Sequence, residues 1–147
     1  MTDSRVSFLP SHLLCSLSFL TSLNLSRNHI QEAHLGITPS SPSSSCLPSL
    51  THLDLSHNLL TSLRDGVFSH LPTLQELFLE GNHLTKLRDG SFSGLTSLSV
   101  LNLAENTLHS LPPECLAHSP VSIHSVLRET NLRTSMVFSQ HRTSLDC

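Results

Sequence analysis

Basic residues and long apolar segments are scarce in this 147-residue chain, and each shortage excludes a class of protein. The chain has 8 lysines and arginines and 11 aspartates and glutamates, for a formal net charge of −3. Binding to nucleic-acid phosphates requires a surplus of basic residues, so this composition excludes a strongly basic nucleic-acid binder. No apolar run approaches the roughly 20 residues of a membrane-spanning helix. No secretion signal is recognisable at the start of the chain.

Cysteine is scarce as well, and the few that occur are far apart. Cys15, Cys46, Cys115 and Cys147 are too dispersed for a metal site or a thiol-redox pair, so unpaired thiols are expected. The 11 histidines include no pair with the i, i+4 helical spacing of zinc sites. We therefore expect no metal and no cofactor.

Motifs of enzymes are missing too. The chain contains no glycine-rich phosphate loop and no nucleophile elbow. Serine and histidine are abundant, but abundance does not create a catalytic triad without the right geometry. The sequence therefore predicts a protein that is not an enzyme.

A pattern of leucines with one asparagine occurs four times. The pattern is Leu-x-x-Leu-x-Leu-x-x-Asn-x-Leu/Ile, and its copies begin at Leu20, Leu50, Leu74 and Leu98. The last three copies begin 24 residues apart (74 − 50 and 98 − 74). A fixed period of this length is typical of solenoid proteins. Chance does not place four such sets in one chain with asparagine at the same offset.

The segments that follow two of these copies are nearly identical. They read Leu63-Arg-Asp-Gly-Val-Phe-Ser69 and Leu87-Arg-Asp-Gly-Ser-Phe-Ser93, and each is followed by another leucine, Leu71 or Leu95. With these segments, residues 5–118 resemble the leucine-rich repeat family in its 24-residue, phenylalanine-bearing subtype. The resemblance implies an α/β-type repeat solenoid, a right-handed curved stack with a short parallel sheet on its concave side. Irregular or short helical segments are expected on the convex side.

The spacing within each copy predicts a short strand. Leu23 and Leu25 share one face of a strand, and the neighbouring coils must bury them because a single repeat cannot. The recurring asparagine is expected to end each strand at a tight turn and to satisfy buried backbone groups. Asp65-Gly66 and Asp89-Gly90 are expected to be outer turns in which glycine has a positive φ. The structural ladder should consist of Asn28, Asn58, Asn82 and Asn106.

The period divides the chain into three parts. Residues 1–19 are expected to form an incomplete N-terminal repeat, and residues 20–119 to form four repeats. The first repeat is longer than the others (50 − 20 = 30 against 24), and the Ser/Pro stretch at 38–45 is expected to be an outer loop. Residues 120–147 lose the period and are expected to be a flexible tail. Because neither end carries a cap motif, a fragment or truncated product of a longer repeat protein is expected.

Two groups of observations favour different compartments. The phenylalanine-bearing subtype is commonest among secreted and receptor-ectodomain relatives, which favours an extracellular origin. Asn24-Leu25-Ser26 is an acceptor sequence for N-glycosylation, and a glycan on Asn24 would lie on the concave face. The lack of a signal peptide and of clustered cysteine caps favours the cytoplasm instead. Both compartments stay open at this point.

The variable positions beside the strand leucines predict where a partner binds, because the family binds partners on its concave face. Phe78 is unusual there, since an aromatic stands at a position that normally faces solvent, between Glu76 and Glu80. An aromatic among polar and acidic residues has the composition of a binding hot spot. The alternative is an isolated exposed apolar residue, which is common on any surface. The candidate partner-binding residues are His52, Asp54, Glu76, Phe78, Glu80 and Asn102.

The leading hypothesis is a protein–protein interaction module that binds a partner of basic or mixed charge on this face. One alternative is the targeting or regulatory arm of a larger enzyme or signalling scaffold, which a catalytic domain encoded beyond either end would favour. Another is a truncated receptor or matrix ectodomain fragment, which glycosylation of Asn24 in secreted material would favour.

Overall fold

The strands of this protein are short and all parallel. The computed structural model describes residues 5–7, 16–32, 47–69, 71–88 and 90–108. Within these residues the strands are β1 (Ser22–Asn24), β2 (His52–Asp54), β3 (Glu76–Phe78) and β4 (Val100–Asn102). They form one parallel sheet in the order β1-β2-β3-β4, so each strand pairs with the strand of the next repeat. This is the leucine-rich repeat architecture that the sequence predicted.

Equivalent residues of successive repeats lie side by side. Leu23 pairs with Leu53, Leu53 with Leu77, and Leu77 with Leu101. Because the register has no offset, side chains at the same repeat position line up across the sheet. We call such a line of equivalent positions a column.

Leucine fills the space behind the sheet. Leu53 and Leu77 are fully buried, because each lies between a preceding and a following coil that cover it. The outer half of the repeat contributes Phe68 and Phe92, whose rings are stacked with centroids 6.3 Å apart. The strand leucines and the outer phenylalanines therefore form one continuous core.

Each ladder asparagine joins two coils. The side-chain amide of Asn82 donates to the carbonyl of Leu79 in its own coil (2.9 Å) and to that of Leu55 in the preceding coil (3.0 Å). Its Oδ1 accepts the backbone N–H of Leu60 (3.2 Å). The same three kinds of bond recur at Asn58 and Asn106. Because these amides are buried, they satisfy carbonyls and N–H groups that water does not reach.

The residue before each ladder asparagine has a left-handed backbone, which turns the chain sharply at the end of the strand. The φ angles are 58° at Arg27, 54° at His57, 68° at Gly81 and 54° at Glu105. Only Gly81 adopts this conformation without steric cost. A Cβ on Gly81 would lie 2.3 Å from Nδ1 of His57, so the imidazole of His57 occupies the space that this glycine leaves.

The glycines of the outer bend differ from one another. Gly66 has a φ of 73°, as expected for the Asp65-Gly66 turn. The expectation of a positive φ at Gly90 was wrong, since the glycines with positive φ in the described chain are Gly66, Gly81 and Gly94. Close packing explains the glycine at this position instead, because a Cβ on Gly90 would lie only 3.0 Å from the side chain of Asp65.

Several expectations concern residues outside the described ranges. The Ser/Pro loop at 38–45, the tail at 120–147 and all four cysteines belong to this group. The connections that are described contain turns and bends without a helix, which is the irregular form of the convex side. Within the same residues, no helix is long and apolar enough to cross a membrane.

Candidate binding surface

The outward positions of the strands form one continuous surface, which we call the sheet face. Two of its columns follow from the strand register, and the third lies just after the strands. Backbone bonds from Arg27 to Ser56 (2.9 Å) and from His57 to Glu80 (2.7 Å) keep the third column aligned. The columns are Ser22, His52, Glu76, Val100; then Asn24, Asp54, Phe78, Asn102; then Ser26, Ser56, Glu80, Ala104. These positions include three carboxylates and no lysine or arginine.

Phe78 lies at the centre of this surface and contacts its neighbour on β2. The ring centroids of Phe78 and His52 are 5.2 Å apart, with the planes tilted by 47°. Nδ1 of His52 is 2.7 Å from Oε2 of Glu76, its register partner on β3. Phe78 is therefore half-buried against an imidazole, and is not an isolated exposed apolar residue.

The other two carboxylates also make bonds between neighbouring coils. Oε2 of Glu80 accepts a hydrogen bond from the Asn102 amide (3.2 Å), and Oδ2 of Asp54 accepts one from the Asn24 amide (3.3 Å). Together with the His52–Glu76 pair, these bonds connect side chains on all four repeats. Five of the six candidate residues thus fall into two contacting groups, one of His52, Glu76 and Phe78 and the other of Glu80 and Asn102. The sixth, Asp54, is bonded to Asn24 instead.

The middle column has a structural role that the sequence reasoning missed. In three repeats its side-chain oxygen accepts the backbone N–H of the residue two positions later, an Asx-turn that stabilises the strand end. These bonds are each 2.9 Å long and join Asn24 to Ser26, Asp54 to Ser56, and Asn102 to Ala104. Phe78 has no acceptor atom, so it cannot make this bond. The sequence contained a signal for this structural role, because three of the four residues in this column are Asn or Asp.

Asn24 is the candidate glycosylation position and lies at the β1 end of the sheet face. It is exposed, and its Oδ1 accepts hydrogen bonds from both the N–H and the Oγ–H of Ser26, at 2.9 and 2.7 Å. The acceptor sequence is thus folded into a compact turn on the surface. Glycosylation of Asn24 stays a prediction.

Within the described residues, no group of three or more histidines, cysteines, aspartates or glutamates could hold a metal ion. A shallow hollow lies to one side of the sheet and is lined by Gln31, Glu32, Leu59, Thr61 and His83. Its lining mixes apolar and polar side chains, and Glu32 there is paired with Arg64 at 3.1 Å.

Comparison with known proteins supports the repeat interpretation. The leucine-rich repeat model matches residues 20–84 and 72–121. A crystal structure of the APL1 leucine-rich repeat domain is similar, with a TM-score of 0.65 and 25% sequence identity. The match covers 80% of this chain and 30% of that one, so this chain spans less than a third of its structural relative. No curated protein sequence matches significantly.

The family assignment has general consequences. Leucine-rich repeat domains generally mediate protein–protein interactions and are typically not enzymes. The matched residues contain all four strands and the whole sheet face. This chain belongs to the leucine-rich repeat family.

Proposed function

We propose that this chain is a protein-binding module that holds a partner of basic or mixed charge on its sheet face, with Phe78 as the central anchor. The observation that carries the proposal is the position of the Phe78 ring, half-buried against His52 and flanked by Glu76 on β3 and by Glu80 just after β3. No other position in this column carries an aromatic residue.

An aromatic ring held in place by the protein is an effective anchor. Phenylalanine offers a large apolar surface with few rotatable bonds, so little conformational entropy is lost when a partner covers it. The contact with His52 restricts the ring further, and the His52–Glu76 bond restricts the imidazole. The surrounding polar residues would form the solvated rim that interfaces typically have.

Charge favours a partner with basic groups. Asp54, Glu76 and Glu80 surround Phe78 on the sheet face, which has no lysine or arginine. Complementary charge on the partner would speed association and set its orientation. A strongly acidic partner would be repelled from the same surface.

The two broader alternatives are compatible with this face. A targeting arm of a larger enzyme or scaffold, or a piece of a receptor or matrix ectodomain, would bind through the same residues. Occupancy of Asn24 by a glycan in secreted material would favour the ectodomain. A glycan there would also restrict the β1 end, leaving β2 to β4 for the partner.

Affinity capture with the full chain as bait tests the proposal. The baits are the wild type, Phe78→Asp, and Phe19→Asp as a matched control. Phe19 is 92% exposed and lies outside the sheet face, so the control makes the same chemical change elsewhere. Circular dichroism first establishes that all three baits are folded. Bound proteins are identified by mass spectrometry, and each candidate is then titrated in purified form.

The expected result is a partner that wild type and Phe19→Asp retain and Phe78→Asp loses. Loss of a hot-spot contact of about 2 kcal/mol corresponds to roughly 30-fold weaker binding. A partner that binds all three baits equally would show that Phe78 is not the anchor. A partner lost from both variants would point to a general effect of added charge.

A further inference from the structure

We infer that the partner presents an arginine side chain to Phe78, and that the guanidinium stacks on the phenyl ring while it donates to Glu76 and Glu80. This inference rests on the proposed function, because it specifies the chemical group that the sheet face binds. Its basis is the placement of one aromatic ring between two carboxylates, Glu76 on β3 and Glu80 just after it.

The spacing along β3 suits a group that is both flat and charged. Glu76 and Phe78 are successive outward positions of β3, about 7 Å apart, and Glu80 is the next outward position, just after the strand. A cation above the phenyl ring, within about 6 Å of its centroid, is attracted by the ring quadrupole. From that place it would lie within reach of a carboxylate on either side.

Both glutamates have acceptor capacity left. Oε2 of Glu76 is bonded to His52, and Oε2 of Glu80 is bonded to Asn102. Among the described residues, Oε1 of Glu76 and Oε1 of Glu80 accept no hydrogen bond. These bonds to neighbouring strands restrict each carboxylate, so a ligand would lose less side-chain entropy in engaging the second oxygen.

Charge complementarity selects a cation, and shape selects arginine among cations. The sheet face has three carboxylates and no internal lysine or arginine to neutralise them. A guanidinium is planar, stacks on aromatic rings and carries five N–H donors that point in fixed directions. An ammonium is a compact, strongly hydrated charge and cannot stack and bridge two separated carboxylates equally well.

Selection from a library of random linear peptides displayed on phage provides the test. The full chain is panned in parallel with Phe78→Ala, with the double variant Glu76→Gln/Glu80→Gln, and with Asp65→Asn. The last is a matched control, because Asp65 is an exposed carboxylate on the outer bend. The amide variants keep the size of the side chains, so they separate charge from folding. Circular dichroism verifies the fold of each protein.

We expect wild type and Asp65→Asn to enrich peptides with arginine at one position, and Phe78→Ala and the double variant to lose that enrichment. An enriched peptide is then synthesised with arginine, lysine or citrulline at that position. Citrulline has nearly the same shape as arginine but no charge. Fluorescence anisotropy should show binding about tenfold weaker or more with citrulline, and a smaller loss with lysine.

The outcomes separate this inference from the proposed function. Peptides that depend on Phe78 but bind equally with citrulline would overturn the arginine assignment and leave the binding face in place. Peptides that bind Phe78→Ala as well as wild type would count against both proposals. A library without any Phe78-dependent binder would overturn the arginine assignment alone, and the capture experiment would then decide whether the face binds protein.

Discussion

Nδ1 of His52 and Oε2 of Glu76 are 2.7 Å apart and join two adjacent strands at the same repeat position. The pair holds the imidazole beside the ring of Phe78. Its side chains remain 33% and 45% exposed, so water competes for both groups. The contact therefore matters more for the position of these side chains than for the stability of the solenoid.

The first prediction follows from that exposure. Glu76→Gln should change the free energy of unfolding by less than about 1 kcal/mol, because polar side-chain pairs that water can reach contribute little. Urea unfolding followed by circular dichroism measures the change. A loss of several kcal/mol would mean that Glu76 supports the fold, and the variant would then be unsuitable as a probe of binding.

A second prediction concerns the asparagine ladder. Asn82→Ala should lower the free energy of unfolding by about 1–3 kcal/mol, since it leaves the buried N–H of Leu60 without a partner and removes one of two donors from the carbonyls of Leu55 and Leu79. Thr73→Ala is the control. It also removes bonds to carbonyls of the preceding coil, but Thr73 is exposed and water can replace them. Similar losses in the two variants would contradict the structural role of the buried amide.

The third prediction compares neighbours on β4 that face opposite ways. Leu101 is 3% exposed, and Leu101→Ala should cost about 2–5 kcal/mol, as other buried leucine truncations do. Val100 is 41% exposed on the sheet face, so Val100→Ala should cost less than about 1 kcal/mol. Denaturant melts of both variants test the direction of the strand. Equal losses would show that the two side chains are not on opposite faces.

A fourth prediction compares two glycines with positive φ, one that has room for a Cβ and one that does not. Gly66 has a φ of 73°, and a Cβ there would be 3.5 Å from the nearest atom, so Gly66→Ala should cost about 1–2 kcal/mol from conformation alone. Gly94 has a φ of 86°, and its Cβ would lie 2.7 Å from the Cα of Ser69. Gly94→Ala should therefore cost clearly more, because the backbone of the preceding coil must move. Thermal melts decide the order, and a milder effect at Gly94 would contradict the packing of these two coils.

The architecture could be predicted from the sequence because a repeat protein depends on local patterns that recur. The alternation of Leu23 and Leu25 determines which side chains face the core, and the 24-residue period places equivalent positions on neighbouring strands. The columns of the sheet face follow from the same spacing, so His52, Glu76 and Phe78 could be placed on one surface in advance. No distant contact has to be known for any of these steps.

Only the tertiary structure decided which hydrogen bonds and ring contacts the side chains on that surface make. The sequence could not show that His52 turns toward both Glu76 and Phe78, or that Asp54 bonds to the backbone of Ser56. The sequence-based expectation of a positive φ at Gly90 was also wrong. A small residue is required there because the side chain of Asp65 in the preceding coil lies close to it. Periodicity assigns a residue to a face, whereas rotamers, hydrogen-bond choices and close approaches depend on the neighbouring coil. Those contacts arise only when the coils stack.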